Sequence, residues 1–210
     1  MVQQGENYRD FAILYRTNAQ SRNFEDSLAQ RRIPYRVIGG LRYYDRMEIK
    51  DMIAYMRLVA NPMDDIAFDR VVNSPKRGIG KATMDKIKSV ANYCEKSIFQ
   101  YVESEAIADT LSGKASKGMN EFLEIIREYS EEKENLRVSD IYEGLLIKSG
   151  YLKALEDQGT AEADGRIENL MEFKSVIYEF ENRDSKLELD EFLEKLALLS
   201  DVDNHDSEAN

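Results

Sequence analysis

Tryptophan is absent from the 210-residue chain, and cysteine and histidine occur once each, as Cys94 and His205. A single cysteine excludes an internal disulfide, and one of each residue excludes a zinc site built from Cys and His. No apolar run approaches the roughly 20 residues that span a bilayer, so no membrane contact is expected. The opening MVQQGENYRD has neither a basic n-region nor an apolar h-region and does not read as a signal peptide. A cytoplasmic protein is the expectation. A GxxxxGK[ST] loop and an acidic strand end for magnesium are also missing. Glu48 and Asp51 stand three apart on one helix face, but no histidine or second acidic pair joins them, so no metal ligands are assigned. His205 reads as solvated in an acidic tail. Cys94 falls on a core-like helical position and reads as a buried, inert thiol.

Of the residues present, 42% are hydrophobic and 33% charged, enough apolar content for one medium domain or two small ones. The formal net charge of −11 is unevenly spread. Residues 1–100 hold 17 Lys and Arg against 12 Asp and Glu, a net of +5, whereas residues 101–210 carry a net of −16. A polyanion should therefore meet the first half.

Phe11 to Tyr15 is a continuous apolar run of strand length. Asn18 can cap a helix whose buried side carries Phe24 and Leu28 and which ends near Arg32. Ile33-Pro34 breaks it, and Tyr35 to Ile38 reads as a second strand. Residues 1–38 thus suit one βαβ unit. Gly39-Gly40 closes it as a candidate hinge. From residue 39 to 200 the period is helical. Ile49, Met52, Ile53, Met56 and Val59 line one face. Asp64 or Asp65 can cap the next helix, with Ala67, Phe68, Val71 and Val72 inside. Met84, Ile87, Val90 and Ala91 mark another. Further helices are expected over 122–129, 138–147, 167–180 and 189–199. Residues 201–210 read as an acidic, frayed tail. The fold class is mainly α, with a small βαβ stub. Because one βαβ unit cannot form an independent sheet, the chain is expected to be part of a larger protein.

The sharpest motif runs from Ser74 to Thr83, as Ser-Pro-Lys-Arg-Gly-Ile-Gly-Lys-Ala-Thr between two helices. Gly78 and Gly80 permit a tight turn and let backbone amides approach a phosphate, and the following helix adds free amides and its dipole. Ile79 would anchor the turn, while Lys76, Arg77 and Lys81 supply cations. Such a helix-hairpin-helix element grips the sugar-phosphate backbone without reading sequence. The alternative is an ordinary turn whose glycines serve geometry alone. Met84 stands where such hairpins often carry a small residue.

A second candidate is the stretch from Tyr15 to Arg22. In α/β sheets ligands bind beyond strand C-termini, so Arg16, Asn18, Ser21 and Arg22 could meet a phosphate. The simpler reading is an Asn cap beside surface arginines. In a third stretch, Arg42 to Asp51, arginines alternate with aromatics and could stack on bases. The favoured reading there puts Tyr43 and Tyr44 in the core and Arg46, Glu48 and Lys50 in solvated ion pairs.

The strings AILYRTNAQSR, PYRVIGGLRYYDRMEIKDMIAYMRLVANP, VVNSPKRGIGKATMDKI and GRIENLMEF resemble, in order and spacing, the PcrA/UvrD/Rep-type superfamily 1 DNA helicases. The resemblance spans about Phe11 to Leu199. It implies a last βαβ piece of a RecA-like motor domain (subdomain 2A), followed by most of the helical 2B insert, with Gly39 and Gly40 at a swivel. It implies an ATP-driven 3′-to-5′ translocase as the whole enzyme, with ATP and magnesium as its cofactors and duplex and single-stranded DNA as its partners. Residue by residue, Arg77, Gly78, Ile79 and Gly80, with Lys76, Lys81 and Thr83, would hold duplex. Asn18 and Arg16, joined by Ser21 and Arg22, would meet the single strand. Tyr15-Arg16 mimics the family's ATP-contacting Tyr-Arg pair, which belongs to a different motif (QNYR) absent from this sequence. The chain itself is therefore expected to need no cofactor, to lack ATPase activity, to be monomeric and to bind DNA weakly. The alternative role is a protein-interaction or autoinhibitory module meeting repair or transcription proteins. A free-standing helix-hairpin-helix protein is the third reading.

Overall fold

The apolar positions of residues 47–60 fill nearly the whole circumference of a helix, which places that helix at the centre of the molecule. In the computed structural model, which describes residues 7–16, 20–37, 42–104, 111 and 113–205 (side chains of Arg9 and beyond Leu198 excepted), this is what is found. Among the described residues ten α-helices follow in order: α1 (Ser21–Gln30), α2 (Met47–Ala60), α3 (Asp65–Val71), α4 (Lys81–Tyr93), α5 (Ile98–Val102), α6 (Gly113–Glu132), α7 (Val138–Lys148), α8 (Tyr151–Glu156), α9 (Ala161–Arg183) and α10 (Leu189–His205). Helix α2 packs against α3, α6, α7, α9 and α10. Its Ile49, Met52, Tyr55, Met56, Leu58 and Val59 are fully buried, each stabilising the fold by about 1.5–3 kcal/mol through burial of apolar surface.

Local signals place the ends. Asp64 caps α3 by accepting the Ala67 amide at 3.0 Å, and Asp65 reaches across to accept the Ile98 amide at 2.8 Å. Ser97 and Gln100 form a reciprocal capping box that starts α5, a helix too short to show in the apolar period. No helix among the described residues is long and apolar enough to cross a membrane.

Five expectations need correction. No strand occurs among the described residues. Residues 11–15 and 33–37 form no ladder, which needs a partner strand exchanging hydrogen bonds, and Ile38 lies outside the described residues. Helix α1 forms, but Phe24 is 41% exposed and Leu28 half-buried. The buried face carries Ser21, Arg22, Glu25 and Ala29 instead, since the surface α1 meets is polar. Cys94 is exposed, because α4 stops at Tyr93 and Cys94 is its C-cap rather than another core position. Arg46 and Glu48 are buried rather than solvated, and only Lys50 makes an exposed pair, with Asp45 at 2.6 Å. Tyr43 and Tyr44 are in the core, as the sequence indicates. Helix α10 continues to His205, inside the segment expected to fray.

The polar surface that receives α1 is a closed network. Arg46 donates to Asn169 Oδ1 and to Ser21 Oγ, each at 2.8 Å, and Asn169 donates to Glu48 Oε1 at 2.6 Å. Ser21 donates to Glu25, whose other oxygen accepts the Tyr43 amide at 3.0 Å. Arg22 lies 2.9 Å from Glu179 and 2.9 Å from Glu172 (an ion pair not aligned as a hydrogen bond), both on α9, and 3.7 Å from Asp26. Burial disfavours the Arg22 charge, but the bond to Glu179 and the three carboxylates outweigh it and raise its pKa. For Arg46 burial dominates and lowers the pKa against Glu25 and Glu48.

Candidate nucleic-acid interface

Helix α3 ends at Val71 and α4 starts at Lys81; the nine-residue loop between them carries the glycine turn. Asn73 shapes it from within, its Oδ1 accepting the Arg77 amide at 2.7 Å and the Ile79 amide at 3.4 Å. Gly78 has φ +80°, a conformation that a side chain would strain. Ile79 is buried and pins the turn, while Lys76, Gly78, Gly80, Lys81 and Ala82 are exposed and Thr83 is half-buried. Gly80 is the N-cap of α4 and offers no side-chain cap. The first amides of α4 therefore face outward without a side-chain acceptor, beside two free ammonium groups.

Arg77 does not join them. The structure corrects its assignment: the side chain is buried and turned inward. Nη1 donates to the carbonyls of Val71 (3.2 Å), Val72 (3.1 Å) and Pro75 (3.3 Å), and Nη2 to Tyr55 Oη (2.8 Å) and the Ser149 carbonyl (3.0 Å). Its guanidinium lies over the Phe122 ring, 5.1 Å from the centroid. The planar fork thus caps the C-terminus of α3 and ties the turn to α2, α6 and the α7–α8 junction. Tyr55 passes the bond on to the Ser74 carbonyl at 2.6 Å. Burial raises the Tyr55 pKa, with Arg77 opposing, so the hydroxyl stays protonated and donates. Ser74 and Tyr151 both donate to Asp51 Oδ2 at 2.9 Å, and Arg70 Nε reaches Asp51 Oδ1 at 2.8 Å.

Helix α6 closes the turn from the other side. A Cβ on Gly118 would stand 2.7 Å from the Arg77 carbonyl oxygen and 2.8 Å from its Cβ, so only glycine lets α6 approach this closely. Gly118→Ala should cost about 1–3 kcal/mol through overpacking against backbone, read as a lower urea midpoint with an unchanged slope. This contact gave no sequence signal beyond the glycine itself.

The second candidate group divides. Arg16 is exposed, with its amide bonded to Gln20 at 2.9 Å. Ser21 and Arg22 are buried in the internal network and present nothing to a ligand. Asn18 lies outside the described residues, as do Gly39 and Gly40. No group of three His, Cys, Asp or Glu side chains converges as a metal site among the described residues.

The chain matches the family described as UvrD-like helicase C-terminal domain over residues 1–210. It is similar to proteins named ATP-dependent DNA helicase PcrA. The relative from Bacillus subtilis is 41% identical over 197 residues, covering 94% of this chain and 26% of that protein. The Staphylococcus aureus relative is 40% identical over 206 residues, covering 97% and 28%. That from Leuconostoc citreum is 39% identical over 203 residues, covering 94% and 27%. The chain spans about a quarter of the length of these relatives.

Proposed function

Because the chain belongs to the UvrD-like helicase C-terminal domain family, we propose that it is the duplex-gripping part of an ATP-dependent 3′-to-5′ DNA helicase. One observation carries this reading. The exposed backbone of Gly78 and Gly80 leads into the uncapped start of α4, between Lys76 and Lys81. From Arg70 to Met84 the sequence holds no carboxylate, in a chain of net charge −11. The amides bind phosphate oxygens, the two lysines add charge-assisted contacts, and Arg77 holds the turn in shape from behind. Nothing in the turn reads a base, so the grip is independent of sequence.

The residues present do not fit ATP or magnesium. The sequence lacks a GxxxxGK[ST] loop, and the described residues bring no metal-binding cluster together. Nucleotide chemistry therefore belongs, in this proposal, to the rest of the parent enzyme. Residues 1–38 are the edge of its motor domain, Gly39-Gly40 is the swivel on which the helical body turns, and Arg16 and Asn18 meet the single strand. The net charge of −16 on residues 101–210 supports a second reading, in which that half docks on a basic protein partner.

The test is hairpin-duplex binding by the 210-residue chain across a salt series. Lys76→Gln and Lys81→Gln should each flatten the log–log slope by about 0.9 while leaving thermal stability unchanged. Unaltered slopes in both variants would remove the glycine turn from the interface.

A further inference from the structure

We infer that Asp51, a buried carboxylate on α2, is the positioning residue of the glycine turn: by holding Ser74 it sets the path of the loop before any phosphate arrives. The inference rests on the proposed duplex grip and deepens it. Asp51 is 4% exposed. Its Oδ2 accepts the Ser74 hydroxyl at 2.9 Å, and Tyr55, one turn further along α2, donates to the Ser74 carbonyl at 2.6 Å. The Ser74 amide donates to the Val71 carbonyl at 3.0 Å. Every polar group of Ser74 is therefore engaged, and two of the three bonds lead to α2. Tyr55 also receives Arg77 Nη2 at 2.8 Å, so both ends of the segment from Ser74 to Arg77 are tied to one central helix. Gly78 follows directly, with its exposed backbone.

Packing alone does not account for a charge at residue 51. Burying a carboxylate is costly, and an acid behind a phosphate site repels the ligand. No carboxylate occurs from Arg70 to Met84, yet the fold brings Asp51 against that stretch. There it gathers Ser74 Oγ and Tyr151 Oη on Oδ2, each at 2.9 Å, and Arg70 Nε on Oδ1 at 2.8 Å. Burial raises the Tyr151 pKa, and Asp51 adds to the shift, so that hydroxyl stays protonated and donates. The bond from Ser74 is charge-assisted, stronger than one to a neutral acceptor, and Asp51 is itself locked by partners from α3 and the start of α8. A loop ordered beforehand in this way loses less entropy on binding.

Two variants separate the hold on the loop from the stability of the fold. Ser74→Ala releases the loop and leaves Asp51 its other partners. Tyr151→Phe removes a partner of Asp51 and leaves Ser74 in place. With a hairpin duplex as probe, Ser74→Ala should weaken binding about threefold to tenfold at every salt concentration, with the log–log slope unchanged because both lysines still meet phosphates. Ser74→Thr, which keeps the hydroxyl, should restore wild-type affinity. Tyr151→Phe should lower the melting temperature and leave binding as in wild type. Asp51→Ala removes an acid and frees Arg70, so charge alone predicts tighter binding; it should instead bind more weakly than wild type. Wild-type affinity in Ser74→Ala, an equal loss in Tyr151→Phe, or tighter binding by a folded Asp51→Ala protein would each overturn the positioning role. If Lys76→Gln and Lys81→Gln still flatten the slope in that case, the duplex grip stands without Asp51. Unaltered slopes in both lysine variants would remove the grip, and this inference with it.

Discussion

Arg77→Ala should unfold the chain more readily than any lysine substitution at the same turn, despite the turn's exposed position. The change removes the donor that now serves four backbone carbonyls and the Tyr55 hydroxyl, of which the Val71 carbonyl keeps the Ser74 amide and Tyr55 keeps its bond to the Ser74 carbonyl. Leaving a buried, multiply bonded cation's partners unsatisfied costs about 3–5 kcal/mol. For a chain of this size that lowers Tm by on the order of 10 °C. Arg77→Lys should recover little, since an ammonium cannot reach five acceptors arranged around a planar fork. Duplex binding should fall in both variants because the turn loses its shape. Lys76→Gln should weaken binding with no thermal change. An Arg77→Ala protein that melts normally, yet loses only the salt-dependent part of DNA binding, would return Arg77 to the surface role suggested by its charge.

The second large effect concerns α1. Arg22→Met should release that helix from α9, because Glu172, Glu179 and Asp26 lose the cation that gathers them. Breaking a buried ion cluster costs about 3 kcal/mol, less for the arm to half-exposed Glu179. Hydrogen exchange should show α1 amides losing protection while those of α2 keep theirs. Glu179→Gln, at the exposed end, should change protection only slightly. Equal protection of α1 in wild type and Arg22→Met would mean that the cluster does not hold it. In the proposed enzyme the pairs of Arg22 with Glu172 and Glu179 join a residue before the proposed Gly39-Gly40 swivel to residues after it, so turning of the helical body there would have to break those two.

The helical core was legible because its signal is local. Ile49, Met52, Met56 and Val59 recur at the helical period and are buried, as are Met84, Ile87 and Ala91. Periodicity states which face could be buried, whereas the partner determines which one is. Phe24 and Leu28 marked the apolar side of α1, yet α9 and the start of α2 present Glu172, Glu179 and Arg46, so Arg22 and Glu25 face inward. Arg77 was misassigned for a related reason. Its acceptors come from residues 55, 71, 72, 75 and 149, and no window of sequence holds them together. Lys76 beside it has the same charge and stays in solvent.

The edge-to-face row Tyr55–Phe122–Phe68–Phe99 runs through α2, α6, α3 and α5, with ring centres 6.0, 5.3 and 6.5 Å apart. Arg77 rests on Tyr55 and Phe122, at one end of that keel. A sideways tug on the glycine loop therefore cannot bend the loop alone; interlocked rings pass the load into four helices at once.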